Sequence, residues 1–293
     1  MKNLDTETSL EPDFSAILRR VLELQSEYSK DNTPPMQERG ILVRQQAPRR
    51  LVALLPESVD LDPADLDTEG RDGSGLRARI PWIRVFSSSR APSVTQGWDV
   101  VYLFAADGSA VFLSLNQGTT SASGGSLTDR PEDFLRDRVA WAKRTLEHLD
   151  DLPADELSLK DPGGLGAGYE KGNVVARRYA QGAIPDEETL RADLSTFVER
   201  LAHLYRAEED PKLGRGLPGY EQTPSPAHQD QPPALNDVPA FISWMLELNG
   251  PELVSTRLDA EQEARDLLNA YAGAMSREQA LELGRLFNKG IYG

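Results

Sequence analysis

The segment Ile80-Pro-Trp-Ile-Arg-Val-Phe86, followed after a polar turn by Trp98-Asp-Val-Val-Tyr-Leu-Phe-Ala105, then Asp107-Gly108 and Ala110-Val-Phe-Leu-Ser-Leu115, decides the fold. Each apolar run is short, rich in β-branched and aromatic residues, and closed by turn residues, which is the pattern of strands and not of helices. Asp-Gly between two such runs is a tight-hairpin signal, because glycine takes the positive φ that the turn needs. Three strands joined in this way predict an antiparallel meander.

Working outward, Phe14 to Tyr28 carries apolar residues at 14, 17, 18, 21, 22, 24 and 28, close to helical spacing, and Asp31-Asn-Thr-Pro-Pro35 ends the pattern. Leu51–Leu55 fits a short strand or a helix equally well. Asp60–Gly75, acidic and glycine-containing, predicts a loop, as does the Gly/Ser/Thr run Thr119–Ser126. Pro131–Leu149 predicts a helix, with Pro131 in the first turn and Asp129 or Thr128 as its cap. Pro162–Gly168 predicts a glycine-rich loop, Asn173–Tyr179 a further strand, and Pro185–Ala207 a long helix whose acidic start suits the helix dipole. The fold class expected is α+β: a twisted, mostly antiparallel sheet flanked by helices, with a small helical C-terminal module. Residues 1–210 form the main domain and 211–235 a Pro/Gly-rich linker. Residues 236–293 hold three short helical patterns, Val238–Leu248, Asp259–Tyr271 and Ser276–Phe287. The last opens on Ser276-Arg-Glu-Gln279, a capping-box match.

The 293 residues hold 39% hydrophobic and 27% charged side chains and no cysteine. Disulfides, thiolate metal sites and a cysteine nucleophile are therefore excluded, and a reducing cytoplasm is the expected location. No apolar run is long enough to span a membrane, and the acidic, polar start does not read as a signal peptide. His148, His203 and His228 are far apart, which argues against a histidine metal site. The net charge of −15 argues against a sequence-blind nucleic-acid binder. The charge is unevenly spread, however. Residues 71–128 and 162–182 each carry a net charge of +2, whereas 61–70, 129–161, 183–210 and 221–293 carry −4, −4, −5 and −6. The conspicuous motifs lie in the mildly basic parts, so DNA binding here would lean on a specific pocket.

Familiar catalytic patterns do not fit. Gly163-Gly-Leu-Gly-Ala-Gly168 lacks the lysine that a phosphate-binding loop places directly after its last glycine, since Tyr169 follows. The strands offer only Asp99 and Asp107 where a two-metal nuclease needs clustered carboxylates and a lysine. No Ser-His-Asp arrangement is supported. Among the aromatics Trp82, Trp98, Tyr102, Phe104 and Phe112, a core role is the plain expectation. Trp82 stands apart because Ile80-Pro81 marks a strand start or sheet rim, where an aromatic ring can stack on a base. Spacing alone still favours core for it.

Ile80-Pro-Trp-Ile83, Val100-Val-Tyr-Leu-Phe104 and Leu113-Ser-Leu-Asn-Gln-Gly118 resemble the family of McrB-like N-terminal domains. Tyr169-Glu-Lys-Gly-Asn-Val-Val-Ala-Arg-Arg-Tyr179, with Ile184-Pro185 and the helix Leu190–Tyr205, is similar to the closing segment of that family. The likeness runs from about residue 10 to 207. It implies a specificity module of a type IV-like, modification-dependent restriction or phage-defence system, which binds double-stranded DNA and flips a modified cytosine into a pocket. The base would then be held by stacking and shape fit.

Carried over residue by residue, the resemblance makes Trp82 the pocket tryptophan, Leu103 an apolar pocket wall and Tyr169 a second stacking aromatic. Asn116 and Gln117 become contacts to the base edge or backbone. Arg77, Arg79, Arg84, Lys171, Arg177 and Arg178 are the phosphate-contact candidates, on charge alone. No cofactor, metal or catalytic residue is implied; a nuclease or NTPase effector would be a separate domain or subunit. Two positions depart from the family pattern. Ser74 stands where a duplex-parting aromatic is known, and Asp99 where tyrosine is common, which changes the pocket edge. Arg285-Leu-Phe-Asn-Lys-Gly290 resembles a helical segment found downstream of such domains in bacterial defence proteins. A non-catalytic protein-interaction subunit of a defence complex is the alternative reading.

Overall fold

A computed structural model of the protein describes residues 12–56, 59–73, 77–123, 126–147, 155–161, 164 and 166–220. Its main sheet holds the meander as β2 (Trp82–Ser87), β3 (Trp98–Phe104) and β4 (Ala110–Gln117). These are flanked by β1 (Leu66–Arg71) on one side and β7 (Val175–Ala180) on the other, in the order β1-β2-β3-β4-β7. Every neighbouring pair is antiparallel. The β3–β4 hairpin closes at Asp107-Gly108 as the sequence indicates. Gly108 sits at φ 72°, and the Asp107 carboxylate accepts from Ser109 N at 3.0 Å.

Two expected loops are strands. Leu66–Arg71 is the edge strand β1, paired along β2 from Leu66↔Ser87 to Arg71↔Trp82. Its sequence, Leu-Asp-Thr-Glu-Gly-Arg, hides the alternation because Asp67, Glu69 and Arg71, on the second sheet surface, are charged, and Glu69 meets Arg84 and Arg71 instead of an apolar core. Thr119–Ser126 contains most of a separate hairpin, β5 (Thr120–Ser123) with β6 (Ser126–Asp129). Ser and Thr dominate it, so no apolar period betrays it. The ambiguous run at Leu51 belongs to helix α3 (Ala47–Val52), which continues α2 (Pro34–Ile41) through a π-helical turn at Leu42–Gln46.

Helices cover one sheet face. α1 (Phe14–Gln25) starts on Asp13, whose carboxylate accepts from Ala16 N at 2.6 Å; α6 (Glu187–Glu209) starts on Asp186, which accepts from Thr189 N at 2.9 Å. α4 (Glu132–Leu146) lies beside α6. Side chains of α1, α4 and α6 bury Ile83, Val85, Val100, Tyr102, Phe104, Val111, Leu113 and Leu115 in the main core. Each large side chain there contributes ~1.5–3 kcal/mol of burial, so α6 is held by Leu190, Leu194, Phe197, Val198 and Leu201 far more than by intrinsic helix propensity. Trp98 and Trp141 stack at 6.1 Å, and the Tyr205 hydroxyl donates to Trp98 O at 2.5 Å.

The first ten residues of the expected linker, 211–220, fold back against the domain. Trp141 Nε1 donates to Leu213 O at 2.8 Å, and the Tyr220 hydroxyl donates to Gly97 O at 3.0 Å. Residues 221–235 and the C-terminal module 236–293 lie outside the described residues, as do the Ser276 capping box and Arg285–Gly290. Among the described residues, no helix is long and apolar enough to cross a membrane.

Candidate functional site

The antiparallel register fixes what the second sheet face displays. One line of cross-strand neighbours runs Arg71, Trp82, Leu103, Phe112, Arg178; the next runs Glu69, Arg84, Val101, Ser114, Ala176. Asp99, opposite Asn116, continues the same face. Trp82 and Leu103 are thus direct neighbours. Together with Ile80, Phe112, Ala176 and the covering residues Leu157 and Leu159, they form a second apolar cluster, against which Tyr169 packs. Trp82 is 8% exposed and Leu103 fully buried.

Tyr169 reaches this face on α5 (Gly166–Gly172), which occupies the end of the expected glycine-rich loop. Glycines let that helix press onto the sheet. A Cβ at Gly172 would stand 2.5 Å from Thr119 Cγ2 and 2.6 Å from Asn116 Oδ1. Asn116 ties α5 down, its Nδ2 donating to Tyr169 O at 3.0 Å and to Ser114 Oγ at 3.1 Å. Its Oδ1 accepts from Gln117 N at 2.9 Å. Gln117 itself points to the helix side, donating from Nε2 to Leu135 O and accepting at Oε1 from Arg138. The structure therefore brings Trp82, Leu103, Tyr169 and Asn116 to one face and leaves Gln117 on the other. Asn116 is occupied as a structural clamp.

The six basic candidates divide. Arg79, Lys171 and Arg178 are exposed. Lys171 pairs with Glu132 at 2.7 Å, a surface contact that a phosphate can displace at little cost, whereas Arg79 pairs at 3.0 Å with Asp161, whose side chain is buried. Arg177 turns to the helix face and pairs with Asp193 of α6. Arg77 and Arg84 are corrections to the phosphate-contact set, since both are buried inside ion pairs. Arg77 Nη1 meets Asp72 at 2.9 Å, and Arg84 Nη2 meets Glu69 at 2.6 Å. Counting charge along the chain does not reveal that Glu69 stands directly across from Arg84, because β1 itself was hidden. Ser74 lies outside the described residues.

Asp99 is the polar group that the motifs underplayed. Its carboxylate is 13% exposed and lies 3.6 Å from Arg84 Nη1. Burial pushes its carboxyl up to about 6, against the pull of Arg84. The folded protein thus holds this proton more tightly than the unfolded chain, and the ionised carboxylate costs stability as pH rises from about 4 to about 6. Asp99→Asn is expected to be more stable than the parent near neutral pH, by at most about 3 kcal/mol, with the gap closing towards pH 4. Denaturant midpoints across that pH range check this; a gap that does not change with pH contradicts it.

Among the described residues, no group of three or more His, Cys, Asp or Glu side chains is arranged to hold a metal ion. A cleft of about 740 Å³ opens between α4, Leu157 and α5, lined by residues that include Lys143, Glu170, Lys171 and Asn173. None of Trp82, Leu103 or Asp99 lines it.

The molecule is thus an α+β domain with a helix-covered core on one sheet face and an aromatic, partly ionic cluster on the other. Residues 23–206 match the family model described as "MrcB-like, N-terminal domain", and the chain belongs to this family, the one its strand motifs resemble. Comparison with curated proteins finds no match, and comparison with solved structures finds none.

Proposed function

We propose that this domain binds duplex DNA and recognises a modified cytosine, of the 5-methyl or 5-hydroxymethyl type, flipped onto the Trp82 face. It would serve a type IV-like restriction or phage-defence system as a cytoplasmic specificity module, with cleavage or nucleotide hydrolysis supplied by a separate effector. The observation that carries the reading is the convergence of Trp82, Leu103 and Tyr169, drawn from three stretches of sequence, into one cluster on the sheet face that, among the described residues, no long helix covers. Trp82 lies in a filled cluster that includes Leu157 and Leu159, so a base enters by displacing side chains of that cluster. Unstacking a base costs a few kcal/mol, and stacking on an aromatic ring returns ~1–3 kcal/mol. Shape fit around the added methyl supplies the remainder. With Arg77 and Arg84 engaged internally, few cations remain for phosphates, and a shallow salt dependence follows.

Trp82→Ala tests the pocket. It is expected to weaken binding to a 5-methylcytosine duplex at least tenfold while the circular dichroism spectrum stays that of the parent. Unchanged affinity in a folded variant contradicts the assignment.

The filled cluster and the strong overall acidity favour one second reading, a protein-interaction subunit of a defence complex. That reading expects no DNA binding at physiological salt and a stable complex with another protein.

A further inference from the structure

Resting on the reading that the Trp82 face receives a flipped base, we infer that Asp99, oriented by Arg84, is the group that tells cytosine from thymine. Its carboxylate accepts from the exocyclic amino group of the base, while Arg84 Nη1 donates to the adjoining ring nitrogen. Modified cytosine and thymine both carry a substituent at C5, so the apolar wall at Leu103 cannot separate them. The difference lies at C4, an amino donor in one and a carbonyl acceptor in the other.

Few polar groups on this face are left to read that difference. Ser114 Oγ donates to Asn173 Oδ1 at 2.8 Å and accepts from Asn116, and Asn116 has both ends occupied. Glu69 is taken by Arg84 Nε at 2.6 Å and by Arg71 at 3.3 Å. Arg84 Nη1 is buried without a hydrogen-bond partner. Its contact with Asp99, at 3.6 Å, is an ion pair at the long edge of hydrogen-bonding range, and Arg84 is the one cation that meets this carboxylate. A donor and a carboxylate that meet each other only at long range complement the Watson–Crick edge of cytosine. Along this face Arg84 stands two residues beyond Trp82 on β2, and Asp99 two residues before Val101, the neighbour of Arg84 on β3. The raised Asp99 carboxyl fits a group kept short of partners, since burial dominates over its one ion pair.

The experiment compares two duplexes identical except at one pair, 5-methylcytosine·G and T·G, titrated with the parent, Asp99→Asn, Asp99→Glu and Trp82→Ala. The parent is expected to prefer 5-methylcytosine by on the order of tenfold or more, although the T·G mismatch opens more easily. Asp99→Asn, whose amide can donate to the thymine carbonyl, is expected to erase or reverse that preference. Asp99→Glu, which keeps the carboxylate, is expected to bind more weakly with the preference retained. An Asp99→Asn protein that keeps the full preference, or that binds neither duplex, overturns the assignment to Asp99. If the parent binds neither duplex and Trp82→Ala changes nothing, the base-recognition reading itself has failed. If the parent binds and Trp82→Ala abolishes it while Asp99→Asn leaves the ratio intact, only the role of Asp99 has failed.

Discussion

Asp72→Ala is expected to cost the domain ~3–5 kcal/mol of stability. Asp72 is fully buried at the end of β1 and holds Arg39 Nη2 at 2.6 Å and Arg77 Nη1 at 2.9 Å, with Arg44 Nη1 at 3.9 Å. Burial pushes its carboxyl up, against the pull of these three guanidinium groups. Removing the carboxylate leaves Arg39, itself fully buried, with only the neutral acceptors Gln25 Oε1 and Ala78 O. An uncompensated buried charge is far more costly than the loss of the ion pair as such. The same centre organises the approach to Trp82: Ala78 N donates to Asp72 O at 2.9 Å and the Tyr28 hydroxyl to Arg77 O at 3.0 Å. Urea denaturation checks the effect. A loss below about 1 kcal/mol contradicts it.

Arg138→Ala is expected to cost about 3 kcal/mol or more and to release residues 211–220. Arg138 is fully buried between Trp98 and Tyr220, its guanidinium 4.7 Å and 4.2 Å from the two ring centres. It donates to Gln117 Oε1 at 3.0 Å and to Pro218 O at 2.5 Å. Alanine therefore takes the donor from Pro218 O, leaves Gln117 Oε1 with the Tyr220 hydroxyl alone, removes the cation that meets Glu208 at 3.4 Å, and opens a cavity against two aromatic rings. Trypsin cleavage at Lys212 and Arg215, together with the denaturation midpoint, reads both consequences. An unchanged midpoint with an unchanged digest contradicts the latch.

The legible parts of this fold are those whose side chains obey one solvent. The meander is apolar on both sheet faces, so its composition marks it as strand, and α1, α4 and α6 put apolar residues on one core face, so the helix period shows through. β1 was missed because its inward charges, Glu69 above all, are satisfied by a neighbour across the strand and not by water. The β5–β6 hairpin is not legible because Ser and Thr dominate its sequence and no apolar period marks it. Residues 211–220 read as a linker on Pro and Gly, yet Tyr220 and two backbone carbonyls hold them to α4 and β3, contacts made by residues some 70 to 120 positions away. For the candidate site, family motifs point to Trp82, Leu103 and Tyr169, which share one cluster, while charge points only to five arginines and Lys171. Whether an arginine meets DNA depends on its partners, which separates the exposed Arg79 and Arg178 from the buried Arg77 and Arg84.

The most direct test of a modified-cytosine reader is a fluorescence-anisotropy titration of the full chain. The duplexes differ at a single cytosine, unmodified, 5-methyl, 5-hydroxymethyl or glucosylated, and each is measured at two salt concentrations. Tighter binding to one modified duplex, persisting at the higher salt, is the expected result. Equal binding to all four, or binding to none, contradicts it and turns attention to a protein partner.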